Sequence, residues 1–190
     1  MDNKMILWMQ VSADGYAAAA DGSFDWPAFG EEAQRYAIDQ VRDAGAFAYG
    51  ATVYGWMASY WPTVESQPDP TPLDVDYSRV WVPMPKTVFS RTMTEADYNT
   101  TVARGDLATE VAALKERSDG DIFVIGGPTI ARALIDADLI DEYRLYIHPV
   151  LLGGGEPLFP ESDGRRGLRL VGARTFDDAS IHVHWARMAA

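Results

Sequence analysis

Small and polar residues that could bind a nucleotide follow three of the short apolar segments of this sequence. These residues form the runs Tyr49-Gly50-Ala51-Thr52, Ser90-Arg91-Thr92 and Gly126-Gly127-Pro128-Thr129. Each run precedes or begins a predicted helix or turn. Helix N-termini offer free amides and a positive dipole end to phosphate, and ligands of open α/β sheets bind beyond the carboxyl ends of the strands. The three runs therefore predict a nucleotide site at one sheet edge.

Two features of these runs suggest how a dinucleotide would be held. Gly126 and Gly127 allow the backbone to approach a pyrophosphate without a Cβ clash, and Pro128 suits a first helical turn. Arg91 could pair with a 2′-phosphate through a charge-assisted fork. The alternative interpretations, without a nucleotide site, are that the Gly-Gly turn is purely structural and that Arg91 is only a surface charge.

Composition excludes several other kinds of chemistry. The 190 residues contain no cysteine, which removes disulfides, zinc-thiolate sites, iron–sulfur clusters and cysteine nucleophiles. A net charge of −12 makes nucleic acid an unexpected partner. The sequence has neither the Gly-x-Gly-x-x-Gly fingerprint, nor a P-loop, nor a Gly-x-Ser-x-Gly elbow. His182 and His184 alternate on what we predict to be a solvated strand face without a third ligand, so no metal site is predicted.

Alternating strands and helices must position the three runs. The predicted strands are 4–11, 46–49, 87–89 and 121–125, and the predicted helices cover 31–42, 52–60 with Thr52 as cap, the segment around 107–114, and 130–135. This alternation predicts a largely parallel sheet covered on both sides. Six prolines lie within 62–85, which we interpret as a long surface excursion.

The last third of the chain has a different pattern. Apolar and polar residues alternate from Tyr143, and the segments 168–176 and 180–188 flank Asp177-Asp178, which is a hairpin signal. This part should add antiparallel strands to the same sheet. We therefore predict a single α/β domain over residues 1–190, with a mixed, mostly parallel central sheet flanked by helices and an antiparallel C-terminal hairpin.

Further short motifs run along nearly the whole chain. They are Ser12-Ala13-Asp14-Gly15-Tyr16 (S-x-D-G-[FY]), Asp25-Trp26 (D-W), Gly50-Ala51-Thr52-Val53-Tyr54 (near G-R-x-T-Y), 86–92 (K-x-V-x-S-R-T), and Gly126-Gly127 followed by Leu134-Ile135, 141–145 and 149–153. In this order they resemble the reductase domain of the bifunctional riboflavin-biosynthesis deaminase-reductase, which is dihydrofolate-reductase-like. Two departures are Ala51, where the family often has Arg, and the missing deaminase half, whose zinc signature needs cysteine.

The resemblance implies an NADPH-dependent reductase acting on a dihydropterin or on a ribosylaminopyrimidine such as 5-amino-6-(5-phosphoribosylamino)uracil. It implies cofactor contacts from Gly50, Thr52, Ser90, Arg91, Thr92, Gly126, Gly127 and Thr129. It also implies a ring pocket near Asp14, Trp26 and the helix that begins near Glu31. A non-catalytic nucleotide- or ligand-binding protein on the same fold is the alternative.

Two carboxylates are candidate catalytic residues. Reduction of a C=N bond needs a proton as well as a hydride, and Glu31 follows Trp26 where dihydrofolate reductases have their carboxylate. Glu31 is equally a good first-turn residue for the helix dipole, and Asp14 could instead shape its loop as an Asx turn.

Location and assembly are further expectations. No segment has the roughly 18 uninterrupted apolar residues of a membrane span, so the cytoplasm is the simplest location. Apolar side chains occur on both faces of the C-terminal strands, and one face must cover helices of the same domain. Those left on the other face need a partner, unless they line a thick internal core. We therefore predict a two-fold homodimer formed mainly beyond Asp141, by residues such as Tyr143, Tyr146, Leu168, Leu170, Phe176 and Trp185.

Overall fold

An eight-stranded sheet in the order β5-β4-β3-β6-β1-β7-β10-β9 forms the centre of the molecule. The computed structural model describes residues 3–159, 161 and 164–188. The strands are β1 Met5–Ser12, β2 Tyr16–Ala18, β3 Ala46–Gly50, β4 Lys86–Phe89, β5 Thr100–Ala103, β6 Ile122–Ile125, β7 Glu142–His148, β8 Glu156–Pro157, β9 Leu168–Thr175 and β10 Ile181–Arg187. The helices are α1 Glu31–Val41, α2 Ala51–Tyr60, a 3₁₀ helix Trp61–Ser66, α3 Pro72–Trp81, α4 Leu107–Arg117 and α5 Pro128–Asp136.

The sheet is mixed and mostly parallel, which confirms the predicted fold class. All pairs from β5 to β7 are parallel, and β10 pairs antiparallel with both β7 and β9. One detail of the prediction is wrong: β7 runs parallel to β1, so the antiparallel part of this sheet begins only at β10. The alternation in β7 reflects its two environments and does not determine its direction.

Both faces of the sheet are covered by apolar side chains. Met5 and Leu7 of β1 join one core with residues of α4 and α5 such as Leu134. Ile6 points to the other face and joins a second core with Phe47 and residues of α1 and α3. Successive strand residues point to opposite faces, so the apolar run of β1 suits a central strand buried on both sides.

The proline-rich segment 62–85 is not a surface excursion, and that prediction is wrong. It contains the 3₁₀ helix and α3, and Trp81 is fully buried with its Nε1 donating to the Tyr49 hydroxyl at 3.0 Å. Pro72 occupies the first turn of α3, where a missing N–H costs nothing, and the Thr71 hydroxyl caps that turn by accepting the Asp74 N–H at 3.1 Å. The prolines therefore start helices here instead of preventing them.

Two further predictions are wrong: the cap of α2 and the exposure of His182. The cap of α2 is Gly50 and not Thr52, because the helix begins one residue earlier, at Ala51. His182 is not on a solvated face: it is 2% exposed, and its ring packs against Tyr36 and Tyr146 at centroid distances of 5.1 and 4.8 Å.

No three His, Asp or Glu side chains within 3–159, 161 and 164–188 are grouped so as to hold a metal ion. None of the helices in that part of the chain combines the length and the apolar character needed to cross a membrane.

Candidate functional site

A cavity of about 1260 Å³ opens at the carboxyl ends of the parallel strands. Its floor includes Gln10 of β1, Gly50 of β3, Phe89 of β4, Ala103 of β5 and Ile125 of β6. This is the edge at which α/β sheets bind ligands, because loops and helix N-termini converge there. The cavity has two parts of different composition, which we call the glycine half and the aromatic half.

The glycine half is formed by the strand-end runs that the sequence indicated. Its lining includes Gly50–Val53, Ser90, Arg91 and Gly126–Thr129. Seven of the eight predicted cofactor residues line the cavity, and Thr92 does not. The N–H groups of Thr92 and Met93 donate to Ser90 Oγ at 3.3 and 3.0 Å. Ser90 thus fixes the turn that carries the exposed Arg91 side chain.

Two helices begin in this half with amides that no side chain caps. The N-caps of α2 and α5 are Gly50 and Gly127, and neither makes a side-chain cap hydrogen bond. By contrast, Thr71 caps α3 and Asp106 caps α4. Uncapped first-turn amides with a positive dipole end are what a phosphate group needs. The glycine half therefore fits the pyrophosphate of a dinucleotide.

The Gly126-Gly127 turn requires both glycines, for different reasons. Both have positive φ, +102° and +83°, a region that branched L-residues avoid. A Cβ on Gly126 would collide with the Cγ1 atom of Val53, whereas a Cβ on Gly127 would meet nothing closer than 3.7 Å. Gly126 is thus needed for packing of the turn on α2, and Gly127 for its backbone conformation.

The aromatic half is formed by α1, the end of α2, the 3₁₀ helix, α3, the segment after β2 and the residues Trp8 and Gln10 of β1. Its apolar lining includes Trp8, Phe24, Pro27, Phe29, Ile38, Trp56, Met57, Tyr60, Trp61, Leu73 and Tyr77. The rings of Trp61 and Tyr77 meet at 4.4 Å and those of Tyr60 and Trp61 at 4.9 Å. Such walls are suited to a flat ring. Sequence reasoning missed this half, although Leu73, Tyr77, Val80 and Trp81 have helical spacing between two prolines.

Gln10, Gln34 and Asp74 are polar side chains among the residues that line the aromatic half. Gln10 is held from behind, because its Oε1 lies 2.6 Å from Nε2 of the buried His148. Burial lowers the pKa of His148, which favours its neutral form. Gln10 is therefore a fixed hydrogen-bonding group at the cavity wall.

Trp26 lies behind this wall and does not line the cavity. Its ring packs edge-on against His148 and against Phe24, at centroid distances of 5.8 and 5.5 Å. Phe24 and the neighbouring Pro27 do line the cavity. In this structure Trp26 supports the residues that form the wall.

Neither predicted catalytic carboxylate lines the cavity. Asp14 accepts hydrogen bonds from Ser12 Oγ at 2.6 Å and from the Leu152 and Gly153 N–H groups at 3.1 and 2.8 Å, and these bonds lower its pKa. It thereby ties the loop after β1 to the loop after β7. Glu31 is in the first turn of α1, with a side chain 75% exposed and paired with Arg35 at 2.7 Å.

Comparison with known proteins agrees with this geometry. The family model of the RibD C-terminal domain matches residues 3–181. The uncharacterized protein YyaP of Bacillus subtilis is 30% identical over 184 residues, covering 96% of this chain and 95% of YyaP.

Two solved structures of low identity share the fold. The diaminohydroxyphosphoribosylaminopyrimidine deaminase/5-amino-6-(5-phosphoribosylamino)uracil reductase of Thermotoga maritima superposes with a TM-score of 0.68 at 16% identity, over 98% of this chain and 57% of that one. Dihydrofolate reductase of Enterococcus faecalis, complexed with NADP(H) and RAB-propyl, has a TM-score of 0.65 at 13% identity, with both chains covered fully. From its dihydrofolate-reductase-like fold and the match over residues 3–181, we conclude that this chain belongs to the RibD C-terminal domain family.

Proposed function

We propose that this protein is an NADPH-dependent reductase of a flat nitrogen heterocycle of the pterin or aminopyrimidine type. The observation that carries the proposal is one cavity with two uncapped helix N-termini and a Gly-Gly turn in one half and aromatic walls in the other. A dinucleotide and a ring substrate can then meet at the boundary between the halves. The family and the NADP(H)-bound dihydrofolate reductase of the same fold support it.

The cofactor would be held mainly by the glycine half. The first-turn amides of α2 and α5, together with Thr52, Thr129 and the Gly126-Gly127 turn, would bind the pyrophosphate. Ser90 and Thr92 would hold the turn from which Arg91 reaches a 2′-phosphate. When bound, NADPH supplies a hydride for a C=N or C=O carbon. Ala51, where relatives often have Arg, leaves the main-chain amides of this turn as the phosphate ligands.

The proton that accompanies the hydride needs a source. Glu31, the candidate donor, and Asp14, the other candidate catalytic residue, are both exposed and do not line the cavity. We therefore propose that water in the open cavity supplies the proton. In this proposal Asp14 keeps the loops after β1 and β7 together. The negative charge of Glu31 stabilises α1 by interacting with the positive end of the helix dipole.

Cofactor oxidation tests the proposal. The loss of NADPH absorbance would be followed with dihydrofolate and, separately, with the ribosylaminopyrimidine as acceptor, against a control without acceptor. We expect acceptor-dependent oxidation with a member of one of these two classes. Tight NADPH binding without oxidation by any acceptor would favour the alternative of a non-catalytic nucleotide-binding protein.

We also propose that the protein is a cytoplasmic homodimer built on the C-terminal hairpin. Every residue of β9 is at least partly exposed, and Leu170, Val171 and Ile181 are 58%, 47% and 38% exposed. β9 is also an edge strand, which a second copy could cover. Tyr143, Tyr146 and Phe176 are buried within the chain and would not contribute. Light scattering at micromolar concentration should give about twice the 21.0 kDa chain mass; the mass of a single chain would refute the dimer.

A further inference from the structure

The basic side chains that line the cavity, in the described part of the chain, come from the segments after β4 and β5 and from α5. Among the lining residues in the described part of the chain, the cations are Arg91, Arg104 and Arg132. Arg91 and Arg104 follow β4 and β5, and Arg132 belongs to α5, where it pairs with Glu156 of β8 at 2.6 Å. None of these three arginines comes from the helices that form the aromatic half. Within residues 3–159, 161 and 164–188, the lining of the aromatic half includes no Lys, Arg or His.

The arginines of α1, α3 and β7 pair with carboxylates outside the cavity lining. Arg35 of α1 pairs with Glu31 at 2.7 Å, and Arg79 of α3 pairs with Glu65 at 2.7 Å. Arg144 lies over the Phe123 ring and bonds Glu142 at 3.1 Å. None of these three arginines lines the cavity. An anionic group in the aromatic half would therefore lack an arginine from α1, α3 or β7.

Two acidic side chains among the described residues line the cavity, Asp74 and Glu156. Glu156 is neutralised by its ion pair with Arg132 at 2.6 Å, whereas Asp74 belongs to α3 in the wall of the aromatic half. Its side chain is half-buried near the N-terminus of α3, and the Tyr60 hydroxyl lies 3.5 Å from its Oδ2. Trp61 and Tyr77 stand beside it in the cavity wall. A carboxylate between aromatic rings attracts N–H donors and cations, and it repels a phosphate group.

We propose that the ring substrate of this protein carries no phosphate, and that Asp74 binds an N–H or O–H group of that substrate. This inference rests on the proposed reductase function and narrows its substrate class. It distinguishes this chain from the T. maritima enzyme, whose name specifies a phosphoribosylamino substrate. The preference for an unphosphorylated ring follows from the charge of the cavity. Among the described residues, no arginine of α1, α3 or β7 lines the cavity to offset the repulsion between Asp74 and a phosphate.

Matched ligands with and without phosphate test the inference. The probes are 5-amino-6-(ribosylamino)uracil and its 5′-phosphate, and dihydroneopterin and its phosphate. Binding would be followed by quenching of tryptophan fluorescence, under anaerobic conditions and with saturating NADP⁺ so that the glycine half is filled. We expect the unphosphorylated member of at least one pair to bind about tenfold or more tightly than its phosphate ester.

Two aspartates of α3 provide matched variants. Asp74→Asn should reduce the preference for the unphosphorylated ligand severalfold, because the repelling charge is gone. Asp76→Asn removes the same charge from a position that does not line the cavity, and it should leave the preference unchanged. Equal effects of the two variants would mean that Asp74 acts only through net charge, and would overturn its role.

The outcomes separate this inference from the proposed function. Failure of NADP⁺ itself to bind would defeat the reductase proposal. Normal NADP⁺ binding with equal or tighter binding of the phosphorylated probes would overturn the inference and leave the reductase function standing. Failure of all four probes to bind to the NADP⁺-loaded protein would also overturn it, because the cavity would then not accept the proposed ring class.

Discussion

The two halves of the cavity are built by different means. The glycine half consists of backbone at the ends of β3, β4 and β6, and its key residues are neighbours in sequence. The aromatic half consists of side chains from β1, α1, α2, the 3₁₀ helix, α3 and the segment after β2. These elements are brought together only by packing. A site formed by backbone leaves a local signal in the sequence, such as Gly126-Gly127, whereas a site formed by packed side chains leaves little more than composition.

The halves also differ in what supports them. The glycine half rests on strand ends that are fixed by the hydrogen bonds of the sheet. The aromatic half rests on buried rings, among them Trp81 and Tyr49, which are joined by a 3.0 Å hydrogen bond. Burial raises the pKa of Tyr49 and of Tyr77, so both hydroxyls stay protonated at neutral pH. Variants in the two halves should therefore affect different properties: cofactor affinity in one and stability in the other.

The largest effect is expected from Trp81→Ala beneath the aromatic half. Trp81 is fully buried, so its truncation should lower the free energy of unfolding by about 3–5 kcal/mol. Urea unfolding measures this loss. The control is Trp56→Ala, since Trp56 is 54% exposed and its removal should change stability by less than about 0.5 kcal/mol. A loss of stability for Trp81→Ala as small as that for Trp56→Ala would mean that segment 62–85 is the surface excursion predicted from its prolines.

Gly127→Val should have the next largest effect, on cofactor binding in the glycine half. A β-branched residue cannot adopt φ +83° without strain, so the turn would change shape and NADPH affinity should fall about 100-fold or more, near 2.7 kcal/mol. Cofactor fluorescence measures the affinity, and circular dichroism checks that the variant is folded. Gly154→Val is the matched control, because a Cβ there meets no atom within 4 Å. Normal NADPH binding by the Gly127 variant would reduce the turn to a structural role.

Arg91→Ala tests which cofactor the glycine half prefers. Loss of a charge-assisted hydrogen bond to the 2′-phosphate should weaken NADPH binding by about 1.5–3 kcal/mol and leave NADH binding nearly unchanged. Titration calorimetry with both cofactors measures the difference. Arg35→Ala, on the exposed surface of α1, should affect neither. Equal losses for NADPH and NADH would contradict the assignment of Arg91 to the 2′-phosphate.

The smallest expected effect is a loss of stability at acidic pH, caused by the buried His182. Burial, followed by the charges of His184 and Arg144, lowers the pKa of His182 from 6.5 to about 4. The folded state thus favours neutral His182, so its contribution to stability is complete above pH 6.5 and is lost as the pH falls toward 4. Urea unfolding at pH 7 and pH 5 should show a loss on the order of 1 kcal/mol. His182→Phe should reduce this loss, and an unchanged loss would exclude His182 as its source.

The contrast between the halves explains which predictions succeeded. The strands and the mixed sheet were predictable because short apolar segments and strand-end glycines are local features. Segment 62–85 was misjudged because proline counts do not reveal whether each proline starts a helix or interrupts one. Thr71 and Pro72 begin α3, and the apolar spacing of Leu73, Tyr77 and Trp81 was the signal that could have shown it.

The sequence alone indicated the alternation of strands and helices, the Gly-rich turns and the position of Arg91 just after β4. The order of the strands in the sheet, the role of Asp14 in tying two loops, the exposure of Glu31 and the position of Asp74 at the cavity follow only from the tertiary structure. The physical reason is that backbone conformation depends mostly on neighbours in sequence. The surroundings of a side chain, by contrast, depend on residues that are far away in the chain and meet it only on folding.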